Sequence, residues 1–193
     1  MTVEIIENAI NPALLRACEA AWPETSWDGW HRYKGITADK YGSLHHSLIP
    51  RACIVALDAF AEVISDHIGD SFIDYDLHAA GLHMMAPGGF LGRHQDAESH
   101  PLKQWKRTHS IVLFLHDSPQ EHGGQLLLEG WTDQHIYPIE NTAVIFSTQD
   151  QWHEVCRYSE LAVQPRKTLA LFAWQHGVVS GPTSANFSQK LKA

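Results

Sequence analysis

Apolar residues along this chain change period near residue 70. Before that point they recur at helical spacing, and after it they alternate. Asn11 followed by Pro12 predicts an N-cap and a first helical residue, opening a helix over 12–22 with Leu14, Leu15, Cys18 and Ala21 on one side. A second amphipathic helix is predicted over 50–68, where Ile54, Leu57, Phe60, Ala61, Ile64 and Ile68 make one stripe and Gly69 stops it. Residues 3–6 alternate briefly, as a short strand would. Residues 23–48, with Trp27, Trp30, Tyr33 and Tyr41 among glycines and prolines, read as a long loop packed on the core.

From Ser71 onward the pattern is that of strands, at 72–79, 81–86, 90–95, 109–116, 125–129, 135–138, 142–147, 152–157 and 167–175. Turn residues separate them: Pro87-Gly88-Gly89, Asp117-Ser118-Pro119, Gly123-Gly124 and Glu140-Asn141. Many short strands without crossover helices predict an antiparallel sandwich or jelly roll, a mainly β architecture, with the helices packed against it. The expected organisation is one domain over 1–193: helical support in 1–70, a β core in 71–175 and a peripheral tail in 176–193.

Composition narrows the partners. The 193 residues carry a net charge of −8, and no run of Lys or Arg exceeds two, which disfavours a nucleic-acid groove or an anionic membrane surface. No stretch approaches the ~18 apolar residues of a membrane span. The start, MTVEIIENAI, lacks a basic n-region and an apolar h-region and is read without a signal peptide. Three widely separated cysteines, Cys18, Cys53 and Cys156, argue against a disulfide framework and for a reducing cytoplasm.

The candidate chemistry lies in His94-Gln95-Asp96 and, 59 positions on, His153. On a strand over 90–96, alternation puts Phe90, Gly92, His94 and Asp96 on one face and Gln95 on the other. Two inward ligands at i and i+2 plus an imidazole from another strand make a 2-His-1-carboxylate set, which leaves coordination sites open for a chelating co-substrate and dioxygen. His-x-Asp alone is weak, because such triplets arise by chance. Arg166 opens a strand in which it shares a face with Thr168, Ala170 and Phe172. A guanidinium at the mouth of an apolar barrel costs desolvation unless an anion meets it. Arg166 and the Thr168 hydroxyl together suit a carboxylate.

The order of these pieces resembles the Fe(II)/2-oxoglutarate-dependent dioxygenases, in particular their prolyl-4-hydroxylase-like branch: Pro87-Gly88-Gly89, His94-x-Asp96, the run from Ser110 to Asp117, Gly123-Gly124-Gln125-Leu126, His153-Glu154-Val155 and Arg166. The resemblance covers roughly residues 72–175. It implies a double-stranded β-helix with Fe(II) on His94, Asp96 and His153, 2-oxoglutarate reaching from the metal to Arg166, and O2 as oxidant, with ascorbate as a supporting reductant. The implied reaction releases succinate and CO2 and hydroxylates an unactivated C–H bond. Halogenases of this superfamily generally replace the carboxylate ligand, so Asp96 points to hydroxylation or a related oxidation.

Two departures stand out. Members of the branch carry a tyrosine nine or ten positions before the first histidine, where this chain has Met84 and Met85. Met85 is expected inward beside His83, with Ser110 or Thr168 supplying the donor that a thioether lacks. The spacing from His153 to Arg166 is also extended, which leaves Lys167 as the alternative anion partner, although alternation points it outward. Two other readings stay open on the residues alone: a cupin-like metalloprotein with 2-oxoglutarate-independent chemistry, and a non-catalytic β-barrel binding module. For the substrate, an amino acid, peptide side chain or small metabolite, the candidate contacts near strand ends are Arg93, Trp131 and Trp152, with Trp105, Lys106 and Arg107 nearby. The residues do not speak to oligomeric state.

Overall fold

The computed structural model describes residues 3–74, 80–131, 135–177 and 181–188. Strand β1 (Val3–Ile6) leads into helix α1 (Pro12–Ala20), followed by β2 (Trp30–Lys34), β3 (Ala38–Ser43) and helix α2 (Arg51–Ser65). Strands β4 (Phe72–Ile73), β5 (Gly81–Met85), β6 (Phe90–Gln95), β7 (Trp105–Phe114), β8 (Leu126–Leu128), β9 (His135–Ile136), β10 (Ala143–Ser147), β11 (His153–Val155), β12 (Arg166–His176) and β13 (Asn186–Phe187) complete the order.

All strand pairings are antiparallel, and one path, β1-β10-β7-β12-β5-β3-β6-β11-β8-β9, curls into a double-stranded β-helix. Its larger sheet runs from β1 to β5 and its smaller from β6 to β9. Strand β3 joins them, pairing Tyr41 and Gly42 with β5 and Ala38 and Asp39 with β6.

Both predicted helices form for the reasons legible in the sequence. The Asn11 side chain accepts from the Ala13 N–H at 2.8 Å, with Pro12 at the first helical position. The α2 stripe is buried, but the helix ends at Ser65 with Asp66 as its C-cap, short of the expected Ile68, and Gly69, at φ +57°, turns the chain in the segment that follows. The helices cover the outer face of the larger sheet, where Leu15, Phe60 and Ile64 meet Leu82, Met84, Leu113, Leu169 and Leu171. Each such side chain contributes about 1.5–3 kcal/mol by leaving water. On the opposite face of that sheet, Met85, Phe114, Val144 and Phe146 meet Leu126, Leu128 and Val155 of the smaller sheet in a second, inner cluster.

Three expectations are corrected. The segment read as a long loop contains β2 and β3; Trp30 and Tyr41 do enter the core, but as strand residues. Its sequence has few β-branched residues, so its strands depend on pairing with β5 and β6, which local pattern does not reveal. Second, the phase of β6 is not continuous. His94 pairs with His153 and Leu91 with Val155, and the register shifts between them, so Leu91, and not its neighbours Phe90 and Gly92, joins the inner cluster with His94's face. Third, Asn186–Phe187, from the segment expected to be peripheral, pairs with Gln95 and His94 on β6. Of the strand predicted over 72–79, residues 75–79 lie outside the described residues.

Candidate metal and co-substrate site

His94 and His153 face each other across β6 and β11, with ring centroids 4.1 Å apart. Asp96 follows β6 directly, and its carboxylate stands 3.6 Å from His94 Nε2 and 3.6 Å from His153 Nε2. The ligand atoms of all three lie within 4.8 Å of one another. The β6 bulge aims this set. Gly92 sits so near the chain before β3 that a Cβ would fall 2.9 Å from Thr37 O, while its own carbonyl accepts from His94 Nδ1 at 2.8 Å. Gln151 O accepts from His153 Nδ1 at 3.4 Å. With each Nδ1 directed to a backbone carbonyl, each Nε2 is the ring nitrogen turned to Asp96, the one that metal ligation would use.

Electrostatics favour the same state. Burial pushes His153 down to about 4, despite the pull of Asp96, so the ring is neutral at physiological pH. Burial would push the Asp96 carboxyl up, but the imidazoles of His153 and His94 and the Arg107 guanidinium outweigh it and hold Asp96 well below the usual carboxylate range. Ser110 Oγ donates to Asp96 Oδ2, and Arg107 Nη1 lies 3.6 Å from Oδ1. Ser110, expected beside the co-substrate, is thus engaged with the carboxylate. Phe187 stacks on His94 at 5.1 Å, and Phe146 packs edge-on against His153 at 4.9 Å.

The three residues line a cavity of about 90 Å³ together with Arg166, Thr168, Met85, His83 and Lys40. Arg166 is 4% exposed. Its Nε donates to Gly124 O at 2.8 Å, and its guanidinium carbon lies 5.1 Å from the Phe114 ring centre. Gly124, at φ +72°, is where a Cβ would stand 3.2 Å from Arg166 Cδ, which accounts for the Gly123-Gly124 pair. Among the described residues no carboxylate pairs with Arg166. Burial pushes it down to about 10, with Tyr158 acting in the other direction, so it remains a cation at neutral pH.

Met85 packs in the inner cluster and Met84 in the helix-side core, as alternation predicts, and both line the cavity. Lys167 turns to α1, its Nζ 3.9 Å from Glu19 Oε1. Arg93 and Trp152 line an adjoining cleft of about 270 Å³ beside His153. There the guanidinium sits 4.2 Å over the indole and pairs with Glu129. Trp131 packs against the inner apolar cluster instead.

Two basic residues have places that the sequence pattern did not give them. Arg107, read only as lying near the candidate substrate contacts, is 4% exposed, lies 3.8 Å over the Phe172 ring and meets Asp96. A register shift between Ala173 and Trp174 sets Trp174 against Arg107 while Ala173 still opposes His109, so counting alternation back from Ser110 puts the wrong residue inward. Lys40 was lost in the supposed loop. Burial pushes its amine down to about 8, against the pull of Asp96 and with the push of Arg166. Between about pH 8 and 10 the unfolded chain therefore holds a proton that the folded chain has released, and the metal-free protein gains stability as pH rises through that window. Lys40→Met should lose this gain, seen as urea midpoints compared at both ends of the window; parallel profiles for the two proteins would refute it.

The comparisons with known proteins agree with the geometry. Residues 80–174 match the family model described as the 2OG-Fe(II) oxygenase superfamily. The chain belongs to that superfamily. This oxygenase is accordingly an enzyme of Fe(II), 2-oxoglutarate and O2, and the reading of a non-catalytic binding module falls away. A Pseudomonas putida prolyl-4-hydroxylase has the same fold, with a TM-score of 0.67 and 20% identity over 91% of this chain and 93% of its own. So does a Trichoplax adhaerens prolyl hydroxylase solved with a peptide fragment of hypoxia inducible factor, with a TM-score of 0.61 and 15% identity over 89% and 83%. The epimerase SnoN, in complex with Fe3+, alpha ketoglutarate and nogalamycin RO, gives a TM-score of 0.65 with 9% identity over 90% and 78%. No curated protein sequence matches the oxygenase. Among its described residues, no helix is long and apolar enough to cross a membrane.

Proposed function

We propose that this oxygenase hydroxylates an unactivated C–H bond of an amino acid, a peptide side chain or a small metabolite, with conversion of 2-oxoglutarate and O2 to succinate and CO2. The observation that carries the reading is the meeting, in one cavity, of the His94–Asp96–His153 set with a buried guanidinium, Arg166, that has no carboxylate partner among the described residues. Two imidazoles and a carboxylate suit Fe(II) and leave half of an octahedral shell free. The bound iron would supply the activation of O2. The protein's own residues do the rest. Gly92 O and Gln151 O fix the two imidazoles, and Ser110 and Arg107 hold Asp96 ionised and oriented. Arg166 and Thr168 receive the far carboxylate of 2-oxoglutarate, and Met85, Phe146 and Leu126 keep the cavity wall apolar.

The fold neighbours include one solved with a peptide and one with a nogalamycin compound, so both kinds of substrate are compatible with this scaffold. Arg93 and Trp152, in the cleft beside His153, are the side chains proposed to meet the substrate. The three cysteines are free, in keeping with a reducing cytoplasm. We take residues 1–193 to work as one oxygenase unit.

Purified protein given Fe(II), ascorbate, O2 and 2-oxoglutarate should form succinate slowly alone and faster with its substrate. A library of amino acids, peptides and small metabolites, read by succinate release and by a 16-mass-unit gain on the added compound, tests this. Iron-replete protein that neither binds nor consumes 2-oxoglutarate would sink it in favour of 2-oxoglutarate-independent chemistry.

A further inference from the structure

The segment after β12 returns to the metal ligands. Strand β13 sets Asn186 opposite Gln95 and Phe187 opposite His94. The Ser188 N–H donates to Arg93 O at 3.0 Å. Beyond Asp96, Pro182 O accepts from the N–H groups of Glu98 and Ser99 at 2.9 and 3.0 Å, and Gly181 O accepts from Ser99 Oγ at 2.9 Å. The approach is close enough that a Cβ on Gly181 would fall 2.8 Å from Glu98 Cβ. His94-Gln95-Asp96 is therefore bracketed by contacts with residues 181–188.

The bracket falls on an edge of β6 that β3 covers only in part. Strand β11 holds one edge, with a shift of register between His94 and Leu91. On the other, β3 pairs with Phe90 and Leu91, and Thr37 O takes the Gly92 N–H, which leaves 93–95 to β13.

Residues directly opposed in antiparallel strands share a face, so Phe187 stands on the side of His94. Its ring stacks on the imidazole at 5.1 Å and 22°. His94 lies 4.1 Å from His153, and His153 lies 4.9 Å from Phe146, so four rings follow one another in contact. Phe146 is fixed in the inner cluster. Phe187, at the other end, comes from a segment whose residues 182–186 are exposed. The bond from His94 Nδ1 to Gly92 O holds one edge of the imidazole and leaves its plane free to rock. A ring laid against its face removes that freedom.

We infer that residues 181–188 clamp the metal-ligand segment, with Phe187 the positioning residue that fixes the plane of His94, so that metal binding and docking of this segment strengthen one another. The inference rests on reading His94, Asp96 and His153 as the metal site, and it gives a role to residues outside the matched span of 80–174. A segment that buries little of its own surface docks with low local stability, and a ligand shifts such an equilibrium. Whatever docking adds to metal affinity, the metal must return to docking by the same factor.

Two measurements with Mn(II) alone test it. In calorimetric titration, Phe187→Ala should bind Mn(II) about tenfold more weakly than the wild type, as for loss of a group that orients a metal-bound histidine. Phe187→Tyr, which keeps the ring, should bind as the wild type does. The urea midpoint of metal-free Phe187→Ala should match that of the wild type, because Phe187 packs in neither apolar cluster. In the wild-type protein, hydrogen exchange at the amides of 186–188 should slow by about tenfold or more when Mn(II) saturates the site. Unchanged Mn(II) affinity in Phe187→Ala would overturn the inference, and so would exchange at 186–188 that Mn(II) leaves unaltered. A loss of affinity that Phe187→Tyr shares, or that comes with a lower metal-free midpoint, would make Phe187 a general support and overturn it as well. A wild type that binds no Mn(II) would instead remove the metal-site reading beneath it.

Discussion

His153→Ala is expected to abolish turnover and to weaken metal binding by about a hundredfold or more. Structural zinc sites with four ligands bind with about 10–16 kcal/mol, a few kcal/mol for each ligand, and loss of one from a set of three falls in that range. The variant should fold. His153 is one of the side chains lining a cavity, and its contact with Phe146 is a ring-edge contact whose loss leaves the hydrophobic face of β10 in place. Fe(II) content after gel filtration, together with succinate formation and a circular dichroism spectrum, decides the matter. Wild-type turnover in a folded His153→Ala protein would exclude the triad as the iron site.

Arg166→Leu should separate co-substrate from metal. Truncating one partner of a buried charge pair costs about 2–5 kcal/mol, which is roughly thirtyfold or more in 2-oxoglutarate affinity. Metal affinity should hardly change, because among the described residues Arg166 makes no hydrogen bond or ion pair with His94, Asp96 or His153 and donates to Gly124 O instead. The metal-free protein should not lose stability as a core truncation would. The guanidinium is desolvated without an anion, so removing it relieves a cost that offsets the lost bond to Gly124 O. Equilibrium titration of 2-oxoglutarate into metal-loaded protein, beside a urea unfolding curve, measures both effects. An unchanged affinity would mean that the far carboxylate pairs elsewhere. Lys167, turned to Glu19 on α1, is not placed to take that role, which would fall to Lys40.

The local pattern was enough for whatever depends on one strand or one helix. The α2 stripe, the Asn11 cap, the inward set Arg166, Thr168, Ala170 and Phe172, and the choice of Met85 over Met84 all follow from a period of 3.6 or 2 within a single element. His94-x-Asp96 with His153 and the Gly123-Gly124 pair could be singled out because their order along the chain carries meaning even before their distances are known. Three features depended instead on pairing between distant segments. Leu91 faces inward because β6 bulges against β11, and Arg107 reaches Asp96 because β7 shifts register against β12; one extra residue reverses every side chain beyond it, and no count along a single strand can register that. Lys40 enters the cavity because β3 wedges between β5 and β6, although its own sequence has little strand character. The identity of the chemistry was thus legible in the one-dimensional order of its ligands, while two of the cations around it, Arg107 and Lys40, were placed by strand registry, a property of two segments at once.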